Sequence, residues 1–190
     1  MKSFTLPLKY TIAYPPGEDT YLLIKIIELD KGNSFLDVGT GSGVIAIHAY
    51  KNGATMVTAT DMSRAVLAEA KKNGEASSSK IDFVNTDLYT GICHKYNVIA
   101  FNPPYLPYDG WNEKNGYDQY AIGGKRGCET IERFLLCLQN DKLYDRAYFI
   151  YSSLSELDIE KFKNIEVEIL DSLSFDWETI YAAMVTRRLH

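Results

Sequence analysis

Apolar residues along this chain fall into short continuous runs that alternate with stretches in which they recur every three or four positions. Continuous runs closed by turn residues read as buried strands, and the wider spacing reads as one face of a helix. Strands are predicted at 34–38, 56–60, 81–84, 98–101 and 147–151, with two more at 165–170 and 179–185 whose short connection makes a hairpin. Helices are predicted at 18–29 and 44–49, from the N-cap Ser63 to about Asn73, at 129–138, and over a short stretch at 154–162. In the fourth of these helices Ile131, Phe134, Leu135 and Leu138 supply the apolar stripe. The order β-α-β-α-β-β-α-β followed by a hairpin predicts an α/β fold, with a mostly parallel seven-stranded sheet, a C-terminal antiparallel hairpin and helices on both faces.

Asn102-Pro103-Pro104-Tyr105 closes the fourth strand. Two adjacent prolines have no N–H to donate and cannot continue a sheet, so the chain leaves as a rigid turn. The carboxyl ends of strands are where open α/β sheets bind ligands. This turn offers an amide side chain, carbonyl acceptors and an aromatic face, a set suited to a planar –NH2 group.

The first strand ends in a second turn, Asp37-Val38-Gly39-Thr40-Gly41-Ser42-Gly43, which opens a helix. Small residues allow close approach of a ligand to free helix N–H groups. Position 44 is Val, where a dinucleotide fingerprint has glycine, and the carboxylate of Asp37 repels a pyrophosphate while suiting a cationic ammonium. Asp61 ends the second strand, in place to accept from ribose hydroxyls, and Asp87 follows the third, in place to accept from an adenine amino group. Together these suit S-adenosylmethionine better than NAD.

Composition narrows the field. At 190 residues with 46% apolar content the chain is expected to be a single domain over 1–190. A formal net charge of −5 argues against broad binding to a phosphate backbone. Cys93, Cys128 and Cys137 lack metal-ligand spacing, so reduced thiols, no metal site and a cytoplasmic location are expected. No apolar run has the length of a membrane span, and none at the N-terminus has that of a signal peptide. Residues 106–126, with Tyr108, Trp111, Tyr117 and Tyr120, form a long connection read as a substrate-facing flap.

The glycine turn resembles the cofactor motif of class I S-adenosylmethionine-dependent methyltransferases, which have a Rossmann-like fold. Asn102-Pro103-Pro104-Tyr105 resembles the motif of their amino-methylating branch. Pro16-Gly17-Glu18-Asp19-Thr20 and Gly123-Gly124-x-x-Gly127 are similar to signatures of the HemK-like protein glutamine methyltransferases. The resemblance implies a short archaeal or eukaryotic form without the bacterial N-terminal helical domain, with residues 1–30 as an extension and helix over the cofactor. It implies methylation of the Gly-Gly-Gln glutamine of class 1 release factors. It further implies a heterodimer with a small zinc-binding activator subunit, which itself holds the zinc. The catalytic set it implies is Asn102, Pro103, Pro104 and Tyr105. The cofactor set is Thr20, Asp37, Gly39, Thr40, Gly41, Gly43, Asp61, Met62, Asp87, Leu88 and Asn102.

Two other readings remain open. One is an N6-adenine methyltransferase acting on DNA or RNA, whose exocyclic amine is equally planar and reaches the turn by base flipping. The other is a non-catalytic S-adenosylmethionine-binding subunit. A lysine acceptor fits less well, since Asn102 is not an obvious base.

Overall fold

The computed structural model describes residues 13–108 and 120–188. Seven strands form one sheet: β1 (Ser34–Val38), β2 (Met56–Asp61), β3 (Asp82–Asn85), β4 (Tyr96–Phe101), β5 (Tyr144–Ser152), β6 (Ile165–Ser174) and β7 (Thr179–Arg187). Their order across the sheet is β3-β2-β1-β4-β5-β7-β6. The pairs from β3 through β5 are parallel, and β7 runs antiparallel between β5 and β6. The strand order reverses between β1 and β4. There the crossovers part to opposite faces and leave a crevice at the carboxyl ends.

The helices are α1 (Glu18–Ile26), α2 (Val44–Lys51), α3 (Arg64–Ala76) and α4 (Glu129–Asn140). Two neighbours in β5 show that both faces are covered. Tyr148 and Phe149 are each fully buried and point to opposite sides. The Tyr148 hydroxyl accepts the Glu28 N–H just beyond α1, at 3.4 Å, while Phe149 packs on Phe134 of α4 with centroids 6.5 Å apart. Phe134 also meets Phe101 at the end of β4, at 5.0 Å. The stripe of Ile131, Phe134, Leu135 and Leu138 is entirely buried, as its spacing predicts.

Two helices fall short of expectation. The first stops at Ile26 rather than at 29, with Ile27 already extended. Residue 28 is spoken for by β5: Arg146 Nη2 donates to the Glu28 carbonyl at 3.0 Å, opposite the Tyr148 contact to its N–H. The short helix expected at 154–162 is only a 3-10 turn, Ile159–Lys161. Its first residues spend their polar groups elsewhere: the Ser155 hydroxyl donates to the Tyr105 carbonyl at 2.7 Å, and the Glu156 N–H to the Arg126 carbonyl at 3.0 Å. Strands β5 and β6 run further than their apolar runs, and β6 carries a bulge between Ile169 and Asp171.

The ends of the long connection after β4 are stitched together. The N–H groups of Tyr105 and Leu106 donate to the Ala121 carbonyl, that of Gly123 to Leu106, and that of Tyr108 to Gly124. Trp111 and Tyr117 of the expected flap lie outside the described residues. Among the described residues no helix is long and apolar enough to cross a membrane, and no group of His, Cys, Asp or Glu has the makings of a metal site.

Candidate active site

A cleft of about 390 Å³ opens at the carboxyl ends of β1, β2 and β4. Twelve of the sequence-predicted residues line it: Thr20, Gly39, Thr40, Gly41, Asp61, Met62, Asp87, Leu88, Asn102, Pro103, Pro104 and Tyr105. The glycine turn is held from below. Thr40 N–H donates to the Thr60 carbonyl at 2.8 Å, joining the turn to the end of β2. Asp61 accepts the Gly41 N–H on one oxygen, at 3.3 Å, and the Ser63 N–H on the other, at 2.9 Å, so a single carboxylate braces both turns.

Asp37 and Gly43 do not line the cleft. Asp37 is fully buried in β1, where its Oδ2 accepts the Thr40 hydroxyl at 2.6 Å and the Ala46 N–H at 3.1 Å. Its Oδ1 has no hydrogen-bond partner among the described residues. Burial raises this carboxyl to a pKa of about 7, against the lowering effect of the Thr40 and Ala46 bonds, with Asp61 adding a smaller push upward. Gly43 faces α3: a Cβ there would sit 3.3 Å from the Ala70 Cβ. Its smallness serves the packing of α2 against α3 rather than contact with a ligand. Asp87 enters the cleft as half of an ion pair with Arg133 of α4.

The end of the cleft at the Asn-Pro-Pro-Tyr turn is organised around Asp19, a residue outside both the catalytic and the cofactor sets that the resemblance implies. Asp19, at the start of α1, is only 4% exposed. Its Oδ2 accepts Asn102 Nδ2 at 3.0 Å and the Tyr105 hydroxyl at 3.2 Å, and its Oδ1 accepts the Thr20 N–H at 2.7 Å. Thr20 Oγ1 receives a second bond from Asn102 Nδ2, at 3.2 Å. The Asn102 Oδ1 is buried and has no partner among the described residues. A buried acceptor without a donor costs free energy unless a ligand supplies one. Burial, with Asp19 next in effect, pushes the Tyr105 hydroxyl far above its ordinary range, so it stays a neutral donor. Tyr14, Asp19, Ser63 and Arg133 also line the cleft and were missed as site residues. The only sequence signal for Asp19 was its place inside Pro16-Gly17-Glu18-Asp19-Thr20.

Comparison with known proteins identifies the family. Residues 17–112 match the family model described as the methyltransferase small domain. A Methanocaldococcus jannaschii protein named protein N5-glutamine methyltransferase is 36% identical over 128 residues, 67% of this chain and 65% of that protein. The release factor glutamine methyltransferase of Streptococcus pneumoniae is 38% identical over 96 residues, 50% of this chain and 34% of that one. The chain thus spans less than two thirds of the length of these relatives. Among solved structures, the E. cuniculi Mtq2-Trm112 complex, described as methylating the eRF1 translation termination factor, superposes with a TM-score of 0.69 at 24% identity. That match covers 93% of this chain and 99% of the other. The match from Gly17 past Tyr105 takes in the start of α1, the glycine turn and the Asn-Pro-Pro-Tyr turn together, and the chain belongs to the methyltransferase small domain family.

Proposed function

We propose that this chain transfers a methyl group from S-adenosylmethionine to the side-chain amide nitrogen of a protein glutamine, that of the Gly-Gly-Gln segment of a class 1 translation release factor. The whole of 1–190 acts as one catalytic domain in the cytoplasm, paired with a small zinc-binding activator subunit that holds the zinc itself. The names of the curated relatives and the eRF1 activity of the E. cuniculi pair support this reading.

The observation that carries it is the Asn102 amide. Its nitrogen is committed to Asp19 and Thr20, so its buried Oδ1, which has no partner among the described residues, is the group left to accept a donor entering the cleft. A glutamine –NH2 is such a donor.

The residues also fit the cofactor. Gly41 has open space where a side chain would be, and a Cβ there would meet only the Tyr14 carbonyl, at 3.9 Å. A ligand can therefore lie against the turn. Thr20, Gly39, Thr40, Gly41, Asp61, Met62, Asp87 and Leu88 would line its site, with Asp61 beside the ribose and Asp87, steadied by Arg133, beside the adenine. Asp37 and Gly43 support that wall from behind. When bound, the cofactor supplies an activated methyl group.

A glutamine amide nitrogen is a poor nucleophile because its lone pair is delocalised into the carbonyl. The chain therefore works by position and electrostatics. Asn102 Oδ1 and the Pro103 carbonyl accept the two amide protons and fix the nitrogen. The Tyr105 ring packs on the amide plane and excludes water, and Pro104 keeps the turn rigid. As positive charge develops on the nitrogen its N–H groups become stronger donors, so both bonds gain most in the transition state, and the methylated, strongly acidic nitrogen then gives up one of these protons to water as the product leaves.

The test is methyl transfer from labelled S-adenosylmethionine to an archaeal or eukaryotic class 1 release factor. Wild-type Gly-Gly-Gln is run beside a Gln→Ala substrate, each with and without the activator subunit. Label that requires both the glutamine and the activator is expected. Label absent from the reconstituted pair while cofactor binding is intact, or found instead on oligonucleotides, overturns the reading.

A further inference from the structure

We propose that Asp19 is a positioning residue for the transfer, a buried carboxylate that locks the Asn102 amide into the single orientation presenting oxygen to the acceptor. The inference rests on the glutamine reading above and gives a role in turnover to a residue that reading treats only as a hydrogen-bond partner of Asn102.

An asparagine amide is nearly symmetric in shape. Turning it over exchanges Oδ1 and Nδ2 with little steric change, and the turned form would offer the acceptor –NH2 a donor instead of an oxygen. Some neighbour must decide between the two. A carboxylate can only accept, so it binds Nδ2 and excludes the turned form. Asp19 is the carboxylate in reach, at 3.0 Å. Thr20 Oγ1 alone could not decide, because a hydroxyl both donates and accepts.

The rest of the local structure holds Asp19 still. Its Oδ1 is occupied by the Thr20 N–H and hydroxyl, and its Oδ2 by the Tyr105 hydroxyl as well as by Asn102. A negative charge in the first turn of α1 also complements the helix dipole. Gly17 leaves room for it: a Cβ at that position would lie 2.7 Å from Asp19 Oδ1. One carboxylate therefore orients both Asn102 and Tyr105.

Its charge has a second effect. A charge-assisted bond to Nδ2 draws electron density through the amide toward Oδ1 and makes that oxygen a stronger acceptor. The benefit rises as the bound nitrogen gains positive charge, so it falls on turnover more than on binding.

The experiment compares Asp19→Asn with wild type. Asparagine keeps the volume but removes the charge and can present either an acceptor or a donor to Asn102, so both orientations become available. Turnover is expected to fall about 10- to 100-fold, the scale of one misplaced polar group in an active site. The KM for release factor and the calorimetric affinity for S-adenosylmethionine should stay within about threefold, as expected when the interaction lost is specific to the transition state.

A second measurement needs no substrate, and its wild-type arm does not depend on Asp19→Asn folding. In 15N-labelled, ligand-free wild type, the Asn102 side-chain NH2 signals, assigned by their loss in Asn102→Ala, should exchange slowly with solvent. In folded Asp19→Asn they should exchange fast or split into two sets. Fast exchange in wild type overturns the proposal, as do unchanged turnover in Asp19→Asn and an equal loss of cofactor affinity and turnover. If the wild-type pair fails to methylate glutamine, the exchange measurement still decides the role of Asp19, and only the acceptor assignment falls.

Discussion

Alanine placed at Gly32, Gly41 and Gly43 separates three demands that a glycine can meet. All three have left-handed backbones, with φ of +92°, +53° and +83°. An L residue there costs about 1–2 kcal/mol in backbone strain. Beyond that they diverge. A Cβ on Gly32 meets nothing within 4 Å among the described residues. On Gly41 it touches only the Tyr14 carbonyl at 3.9 Å, and on Gly43 it meets the Cβ, Cα and carbonyl of Ala70 at 3.3–3.4 Å. Gly32→Ala and Gly41→Ala should therefore destabilise by the backbone cost alone. Gly43→Ala must also push α2 from α3, adding about 1–3 kcal/mol of overpacking. Urea unfolding of the ligand-free proteins reads these differences as shifts in midpoint at constant slope. Titration calorimetry with S-adenosylmethionine should rank them differently: at Gly41 the new methyl occupies the space a ligand needs, and a loss of at least ~10-fold, or about 1.4 kcal/mol, is expected there. If Gly43→Ala is no less stable than Gly32→Ala, the packing argument fails. If Gly43→Ala weakens the cofactor more than Gly41→Ala, the cleft has been assigned to the wrong glycine.

Asn102→Ala should leave S-adenosylmethionine binding nearly intact and lower turnover at least ~100-fold; near-normal turnover would remove Asn102 from the mechanism. Asp37 gives a pH signature. Its folded pKa, about 7, lies above the ordinary 3.8, so the native state holds a proton that the unfolded chain has already released. Its contribution to stability is complete below about pH 4 and is lost as pH rises to 7. The stability of Asp37→Asn relative to wild type should therefore improve by about 4 kcal/mol between pH 4 and 8 in parallel urea titrations, and a constant difference would contradict the burial argument. Phe134→Ala removes a fully buried ring packed against Phe101 and Phe149. A loss of about 3–5 kcal/mol is expected, and one below about 1 kcal/mol, read by the same unfolding curves, would mean that the site collapses freely.

The parts of this molecule that local patterning controls were legible in its sequence. Apolar runs placed the strands, and the three-and-four spacing placed α4. The turns at Asp37–Gly43 and Asn102–Tyr105 mark strand ends that the topology brings side by side. What escaped was decided across long stretches of chain. Asp19 acts on Asn102 across 83 positions, and Arg133 meets Asp87 across 46. Gly41 and Gly43 look alike in sequence, and only the place of Ala70 tells them apart. The helix expected at 154–162 was lost for the same reason, since Ser155 and Glu156 bond to Tyr105 and Arg126, groups no local window contains.

The backbone bonds that tie residues 105–108 to 121–124 have a consequence for how such a site diversifies. Because Tyr105, Leu106 and Tyr108 are fastened directly to Ala121 and Gly124, the number of residues strung between the two anchors is uncoupled from the geometry of Asn102 and its prolines. Doubling a flexible segment between fixed ends costs only about 0.6 kcal/mol in closure entropy. A change in the number of residues between the two anchors is thus tolerated without displacing Asn102, Pro103 or Pro104, so chain length at this point can vary among descendants of the scaffold independently of the turn that closes β4.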